Sequence, residues 1–282
     1  MSNAILLDGA AGTTLWEYAE RDGFDKVPVW RYNIEHPEIV AELHEGFIQA
    51  GSKMIQTNTF AANGPAVKRS SDYSVEQVVT AAVKIAKDTI GNRDVSVYAS
   101  FGPLSTLLKP YGPTSAEEAE MIFNEMVTAA YFAGTDCIVW ETFMDLEMMK
   151  LAVRATKKYD IPVFCSMSFE KRMRTMMGNT VKSIAETLEP MGIDAIGMNC
   201  SHGPVDALPI IEEFRKYTDL PLYFKPNAGL PVVAEDGTMV KPYTAETFAS
   251  EVAPALEFVS YVGGCCGCDD AYIRELGRLL KE

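Results

Sequence analysis

Eight short apolar segments recur along this chain, and each of them ends in polar or small residues. The segments are rich in β-branched residues and are continuously apolar rather than alternating, which is typical of parallel strands buried on both faces. They cover residues 5–9, 54–58, 95–102, 137–143, 163–169, 195–200, 222–229 and 258–266. The pattern predicts a sheet of eight parallel strands, and this limits the folds that the chain can adopt.

Segments with the helical period lie between these strands. The residues that follow Pro37 place apolar side chains at i, i+4 and i+8, which marks one face of a helix. Ser74 with Gln77, and Ser115 with Glu118, have the spacing of capping boxes that open the next two helices. Similar apolar stripes cover residues 145–159, 181–190, 205–216, 245–256 and 270–281.

Alternating β and α units over 282 residues predict an α/β fold, a single (β/α)8 TIM barrel spanning residues 1–282, with its active site at the C-terminal ends of the strands. A doubly wound open sheet is the alternative, but it usually has fewer strands and a glycine fingerprint. No G-x-G-x-x-G or G-x-x-x-x-G-K-[ST] motif follows any of the strands. Three connections after strands are longer than the rest and are expected to build the pocket wall: 10–36, 59–73 and 229–243.

Charge and composition bear on the partners. The chain has 25 Lys and Arg against 39 Asp and Glu, a net charge of −14, and no basic face, so nucleic acid and anionic membranes are poor partners. No signal peptide is indicated, and the apolar runs are far shorter than the roughly 18–20 residues of a membrane span. We expect a cytoplasmic protein, whose thiols stay reduced and whose clustered cysteines serve metal binding or catalysis.

In such a barrel the last residues of all strands face one mouth. In chain order these residues are Asp8, Thr57 with Asn58, Ser100, Glu141, Ser168, Cys200, Asn227, and Cys265 with Cys266. Two acids and three thiols therefore converge where chemistry is expected, and core packing does not explain that concentration.

The three thiols suit zinc. Zinc prefers tetrahedral sulfur and nitrogen ligands, and catalytic zinc sites keep one position open. Cys200, Cys265 and Cys266 would supply three thiolates from the ends of two strands. Neighbouring residues of a regular strand point to opposite faces, but the glycines on both sides of the Cys pair permit a sharp turn. A buried cysteine pair or a vicinal disulfide is the alternative.

The remaining cysteines and one histidine affect the ligand count. Cys268 or His202 could close the site into a four-ligand structural zinc centre, which would leave no room for substrate. Cys268 lies past the turn, where a helix is expected to begin, and His202 lies two residues beyond Cys200. Cys137 and Cys165 lie inside strands and are predicted to be small core residues.

The two acids suit an amino-acid ligand. Asp8 precedes the turn at residues 9–14, whose backbone N–H groups could form an anion-binding nest. Glu141 lies at the end of the fourth predicted strand. The ammonium group of an amino acid would bind the acids, and its carboxylate would bind the nest.

Seven motifs at these positions resemble the homocysteine S-methyltransferase family, which includes the homocysteine module of cobalamin-dependent methionine synthase and betaine–homocysteine methyltransferase. Any one motif is weak evidence, but their order and their placement on eight strand ends are specific. The motifs are LLDGAAGTTL (6–15), QTNTFAAN (56–63), ASFGPL (99–104), WETF (140–143), MNCS (198–201), PNAGLP (226–231) and GGCCG (263–267).

The resemblance implies a zinc-dependent enzyme that methylates homocysteine to give methionine. It implies Cys200, Cys265 and Cys266 as the zinc thiolates, and Asp8 and Glu141 as the acids that bind the amine. The other residues expected to bind substrate are Gly9, Thr13, Asn58, Ser100 and Asn227.

The methyl donor is less constrained. KPNAGLP resembles the methionine synthase module, whereas Cys268-Asp269-Asp270 replaces the threonine-bearing turn that is usual in the family. The folate, cobalamin and reactivation domains of a full methionine synthase have no counterpart here, so we expect a separate methylated corrinoid protein carrying methylcobalamin as the donor. The alternatives are a small cationic donor (S-methylmethionine, S-adenosylmethionine or a betaine) and, from another class, a non-catalytic zinc-binding or redox-sensing protein.

Overall fold

The structure of the chain is a computed structural model, and it describes residues 3–281 apart from residues 171, 230–231, 234–238 and 241. A small antiparallel pair, β8 (Val232–Val233) with β9 (Met239–Val240), stands apart from a sheet of eight parallel strands. The strands of the large sheet are β1 (Ile5–Leu6), β2 (Met54–Gln56), β3 (Ser96–Phe101), β4 (Cys137–Phe143), β5 (Val163–Met167), β6 (Ala195–Asn199), β7 (Leu222–Lys225) and β10 (Tyr261–Val262).

The eight-stranded sheet curves into a nearly closed barrel, as predicted. Its order is β1-β10-β7-β6-β5-β4-β3-β2, so the last strand of the chain lies beside the first. The two edge strands meet through the bond from the Lys53 backbone N–H to the Leu6 carbonyl at 2.8 Å. The Ser52 hydroxyl also donates to the Leu7 carbonyl at 3.1 Å. The fold class is therefore α/β, a (β/α)8 TIM barrel.

Helices connect the strands and cover the outside of the barrel. Among the described residues they are α1 (Gly12–Asp22), α2 (Tyr32–Glu35), α3 (Pro37–Ala50), α4 (Gly64–Ser70), α5 (Val75–Ile90), α6 (Ala116–Ala133), α7 (Leu146–Thr156), α8 (Val181–Leu188), α9 (Pro204–Arg215), α10 (Ala245–Val252) and α11 (Asp270–Leu279). The predicted capping box at Ser74 and Gln77 is present, and Ser115 caps α6 by accepting from the Glu118 N–H. In the part of the chain that the structure describes, no helix has both the length and the apolar character of a bilayer crossing.

The connections at the C-terminal ends of the strands differ from the prediction in detail. The segment 10–36 contains α1 and α2, and the segment 59–73 contains α4. The connections 102–115 and 168–180 are long as well, which the sequence did not indicate because both contain apolar residues among the polar ones. Two long connections therefore flank the mouth in addition to 10–36 and 59–73, and most of the predicted connection 229–243 lies outside the described residues.

The inside of the barrel is apolar at the end away from the mouth and polar towards the mouth. Its apolar layer contains Leu7, Met54, Tyr98, Cys137, Val139, Phe164, Ala195 and Tyr223. A larger apolar cluster fills the space between the strands and the helices, and it includes Cys165. Both Cys137 and Cys165 are thus core residues, as predicted. Gly197 permits β6 and β7 to approach closely, since a Cβ there would lie 1.8 Å from the Tyr223 carbonyl oxygen.

His44 on α3 makes the fold sensitive to acid. Its side chain is buried, and neither ring nitrogen has a hydrogen-bond partner among the described atoms. Burial lowers the pKa of His44 from 6.5 to about 4. Between these two values the unfolded chain binds a proton that the folded chain does not, so stability falls as the pH drops through this window.

Replacement His44→Leu is expected to remove that dependence. As the pH falls from 6.5 to 4, the wild type should lose about 3 kcal/mol of unfolding free energy that the variant keeps. This amount corresponds to the full difference between the two pKa values of His44. Urea unfolding at a series of pH values measures the difference. A constant offset between the two proteins across the window would show that His44 is not protonated differently on unfolding.

Candidate metal and substrate site

Three cysteine sulfurs lie together at the mouth of the barrel. Cys200 follows β6 directly, and Cys265 and Cys266 follow β10. Their sulfur atoms all lie within 4.8 Å of one another, and the Cys200 and Cys266 sulfurs are 3.8 Å apart. The structure thus brings together the three thiols that the sequence singled out.

The local backbone explains how adjacent cysteines face one site. Strand β10 ends at Val262, and the Cys268 N–H donates to the Cys265 carbonyl at 3.0 Å, which closes a tight turn. Gly267 has a φ of +83°, a conformation that glycine adopts without strain. Cys265 and Cys266 therefore lie outside the strand, and their side chains need not point to opposite faces as neighbours in a regular strand do.

Cys200 lies in an unusual backbone conformation. Cys200 has a φ of 61° and Ser201 a φ of 64°, in the left-handed region that non-glycine residues rarely adopt. Such conformations persist where the surrounding structure holds them, and here the Cys200 N–H donates to the Lys225 carbonyl at 3.0 Å. The backbone therefore departs from strand geometry at Cys200, directly after β6 and at the point where the three thiols meet.

The thiol geometry fits a tetrahedral zinc ion. Zinc–sulfur bonds of about 2.3 Å at tetrahedral angles separate sulfurs by about 3.8 Å, which is the spacing of Cys200 and Cys266. Among the described residues, the ligand group contains neither Cys268 nor His202. Cys268 is fully buried, and its sulfur lies 3.9 Å from the Pro226 carbonyl oxygen. A zinc ion held by these three thiols would have no fourth His, Cys, Asp or Glu ligand among the described residues.

The thiols influence each other's ionisation. Hydrogen bonds from Cys265 and Cys266 lower the pKa of Cys200 well below its ordinary value. The bonds with Cys200 raise the pKa of Cys265, and they raise that of Cys266 to about 11. One thiol of the group therefore ionises readily, whereas the other two stay protonated at neutral pH. Binding of a divalent metal by all three thiolates would release protons from the group.

Glu141 is a buried carboxylate beside the thiols. The Ser100 hydroxyl donates to its Oε1, and the Asn199 side-chain amide donates to its Oε2 at 3.3 Å. Burial raises the pKa of Glu141. The next residue, Thr142, has a φ of 65°, so the backbone leaves β4 in a strained turn directly after the acid.

Asn199 joins the acid to the thiols and was not among the residues predicted from the sequence. Its Nδ2 donates to Glu141, to the Thr142 hydroxyl at 2.8 Å and towards the Cys265 sulfur at 3.8 Å. Its Oδ1 accepts from the Thr142 N–H and from the Ser166 hydroxyl, each at 2.8 Å. The signal in the sequence was a buried strand that ends with an amide immediately before Cys200.

Replacement Asn199→Ala is expected to lower metal affinity or methyl transfer by about 10–100-fold, because groups that orient metal ligands contribute that much. Zinc titration and initial rates of methyl transfer measure the two effects separately. Ser168→Ala is the matched control, since the Ser168 hydroxyl donates only to the Asn199 carbonyl among the bonds described. Equal behaviour of the two variants would contradict a role for the Asn199 amide.

Asp8 lies inside the barrel and is paired with a lysine. Lys225, the last residue of β7, places its Nζ 2.8 Å from Asp8 Oδ1, and both side chains are almost completely buried. Burial lowers the pKa of Lys225, but the charges of Asp8 and Glu141 outweigh this, and the net shift is upwards. Lys225 was not among the predicted site residues, although it is a lysine at the end of an apolar strand.

Three of the predicted substrate residues have clear positions in the structure. Gly9 is buried, and a Cβ there would lie 2.2 Å from the Cys268 carbonyl oxygen, so the turn requires glycine. The Ala10 N–H donates to that same carbonyl and is not available to a ligand. Thr13 is exposed in the first turn of α1, and Ser100 holds Glu141.

Two amides at the mouth have different surroundings. The Asn58 Nδ2 donates to the Val29 carbonyl at 2.7 Å and to Asn33 Oδ1 at 2.9 Å, so it holds the connection after β1 in place. The Asn227 side chain contributes, after Cys265 and Cys266, to the lowered pKa of Cys200, while its Oδ1 has no partner among the described atoms. A role of either residue in substrate binding stays a prediction.

The fold and the site together are a (β/α)8 barrel whose mouth carries three cysteines that could hold a metal ion. A family model described as Homocysteine S-methyltransferase matches residues 5–280. The chain belongs to the homocysteine S-methyltransferase family and is an S-methyltransferase.

Individual relatives agree with that membership. Methionine synthase of Mycobacterium tuberculosis (strain ATCC 25618 / H37Rv) is 30% identical over 301 aligned residues, which cover 98% of this chain and 24% of that protein. Methionine synthase of Mycobacterium leprae (strain TN) is 28% identical with the same coverage. This chain therefore spans about a quarter of the length of these curated relatives.

Solved structures share the fold. The metallated form of the homocysteine methyltransferase MmuM from Escherichia coli has a TM-score of 0.80 at 20% identity, covering 98% of this chain and 96% of that one. The oxidised form of the same protein has a TM-score of 0.79 at 19% identity, with the same coverage. At this identity the likeness concerns the barrel itself.

Proposed function

We propose that the chain is a zinc-dependent methyltransferase that moves a methyl group to the sulfur of homocysteine and so forms methionine, with a separate methylated corrinoid protein as the donor. The observation that carries this proposal is the group of three thiols, which has no fourth His, Cys, Asp or Glu beside it among the described residues and lies one side chain away from the buried carboxylate of Glu141. A thiol amino acid has the matching pair of groups, a sulfur and an ammonium separated by a short carbon chain.

Cys200, Cys265 and Cys266 would hold the zinc ion. A zinc ion held there would lower the pKa of a coordinating thiol, so the acceptor would be a thiolate, and a good nucleophile, at neutral pH. Asn199 and Asn227 keep the cysteine sulfurs oriented through their amides. No general base is needed in this scheme, which agrees with a chain that has three histidines.

The amino-acid part of the acceptor would lie between Glu141 and the start of α1. Glu141 accepts hydrogen bonds only from neutral donors among the bonds described, so the place of a hydrogen-bonded cation beside it would be taken by an ammonium group. Helix α1 has no side-chain cap and no acid in its first turn. Its free N–H groups and the positive end of its dipole suit the carboxylate of the acceptor.

The surface around the mouth supports a protein as the methyl donor. Five large apolar side chains are exposed on the connections that follow β2, β3 and β5: Phe60, Leu107, Tyr111, Met173 and Met176. Exposed apolar side chains grouped around a mouth mark a surface that a partner covers. A small cationic donor is the second candidate, and the net charge of −14 is the observation that favours it.

A donor comparison tests the proposal. The zinc-loaded chain is incubated with homocysteine and either methylcobalamin (bound to a corrinoid protein), S-methylmethionine, S-adenosylmethionine or a betaine, and methionine is measured. We expect methionine with methylcobalamin, accompanied by the absorbance change of a corrinoid that keeps both electrons of its broken cobalt–carbon bond. Methionine from a small cationic donor alone would identify that donor instead. No methionine from any donor would favour a non-catalytic zinc or redox protein.

A further inference from the structure

The carboxylate of Asp8 is already neutralised within the protein. Its Oδ1 accepts from Lys225 Nζ at 2.8 Å and from the Tyr98 hydroxyl at 2.6 Å, and its Oδ2 accepts from the Gln56 backbone N–H at 2.6 Å. The Asp8 side chain is fully buried and that of Lys225 is 1% exposed. This ion pair is therefore shielded from solvent and is built into the barrel.

The ammonium of Lys225 has no donor left for other partners. Besides Asp8, it donates to the Tyr98 oxygen at 2.9 Å and to Gln56 Oε1 at 3.3 Å, which uses its three N–H bonds. Lys225 thus occupies the position beside Asp8 that an ammonium group of a substrate would need. A second cation at Asp8 would lie close to the first and would be repelled in this weakly screened interior.

Glu141 is in the opposite situation. Its two oxygens accept from the neutral groups of Ser100 and Asn199, and no cationic side chain donates to them in the described part of the chain. The same Asn199 amide that contacts Glu141 also lies 3.8 Å from the Cys265 sulfur. Glu141 is therefore the carboxylate that has no hydrogen-bonded cation and lies next to the thiols, and Lys225 acts on it only through its charge.

We infer that Lys225 withdraws Asp8 from substrate recognition, so that Glu141 alone binds the ammonium group of the acceptor thiol. This inference rests on the proposed function and departs from the family resemblance, which assigns the amine to both acids. Asp8 and Lys225 are then positioning residues that hold Tyr98 and Gln56 below the site. Together the two acids and the lysine carry one net negative charge, which matches an acceptor with a single ammonium group.

Binding of two thiols that differ only in the amine tests this inference. L-homocysteine and 4-mercaptobutanoate, which has the same thiol and carboxylate but no amine, are titrated calorimetrically into the zinc-loaded full chain. We expect the wild type to prefer homocysteine by roughly tenfold to a hundredfold, the range for a hydrogen bond to a charged group. Glu141→Gln should abolish the preference, whereas the double variant Asp8→Asn/Lys225→Met should keep it within about threefold.

Each outcome separates the inference from the function on which it rests. If neither thiol binds to the zinc-loaded wild type, the proposed function fails. If both bind and the double variant loses the preference as completely as Glu141→Gln does, Asp8 takes part in amine recognition and the inference is wrong. Persistence of the preference in Glu141→Gln would overturn the inference on its own, even if the double variant does not fold. Zinc content and circular dichroism of every variant confirm that a folded, loaded protein is compared.

Discussion

Serine at any one of positions 200, 265 or 266 is expected to lower zinc affinity at least ~100-fold and to abolish methyl transfer at ordinary zinc concentrations. The binding free energy of a cysteine zinc site, about 10–16 kcal/mol, is shared among its ligands, so each thiolate contributes about 3 kcal/mol. The three sulfurs form one compact group, so the loss should be similar for Cys200→Ser, Cys265→Ser and Cys266→Ser.

Metal content after dialysis and competition with a chromophoric chelator measure these losses. Cys165→Ala is the matched control, because that thiol is buried between the strands and the helices. Cys268→Ala distinguishes an open three-thiol site from a closed four-thiol site, and it should retain its zinc. A Cys268 variant that loses zinc as the others do would show that the fourth position is filled by the protein.

Breaking the Asp8–Lys225 pair is expected to have the second largest effect, on stability. Either Asp8→Asn or Lys225→Met leaves one buried charge without its partner, which costs about 3–5 kcal/mol of unfolding free energy. Removing both charges together leaves none uncompensated. The double variant should therefore be more stable than the sum of the two single losses predicts, by about 3 kcal/mol.

A double-mutant cycle in urea measures this coupling. Lys150→Met is a suitable control, because Lys150 pairs with the exposed Glu147 on the surface of α7 and such pairs contribute about 0–1 kcal/mol. Strictly additive losses for the two buried positions would mean that the pair does not interact in the folded protein, and the inference about Asp8 would then lose its basis.

The barrel could be predicted because parallel strands buried on both faces have a pattern of their own. All eight segments contain a strand of the sheet, but most of the strands are shorter than the segments. The last predicted strand covered 258–266, whereas β10 is only Tyr261–Val262. Apolar or small residues continue past the last ladder bond, because some residues beyond it are also buried, such as Gly263 and Gly264.

The thiols could be predicted because cysteine is rare and its chemistry is specific. Asn199 and Lys225 could not, since their meaning depends on neighbours from distant parts of the chain. Lys225 pairs with Asp8, 217 residues earlier, and a lysine at a strand end looks like a surface residue until that neighbour is known. One N–H of the predicted anion-binding turn at 9–14 is occupied, because Ala10 donates to the Cys268 carbonyl, and anion binding by the rest of the turn stays a prediction.

The central claim is that three thiolates hold a zinc ion that has a free position for the acceptor sulfur. X-ray absorption at the zinc edge, with and without homocysteine, tests this most directly because it counts the sulfur neighbours of the metal. The account predicts three sulfurs and one lighter atom in the protein alone, and four sulfurs at about 2.3 Å once homocysteine is added. Four sulfurs before the addition, or no change after it, would contradict the account.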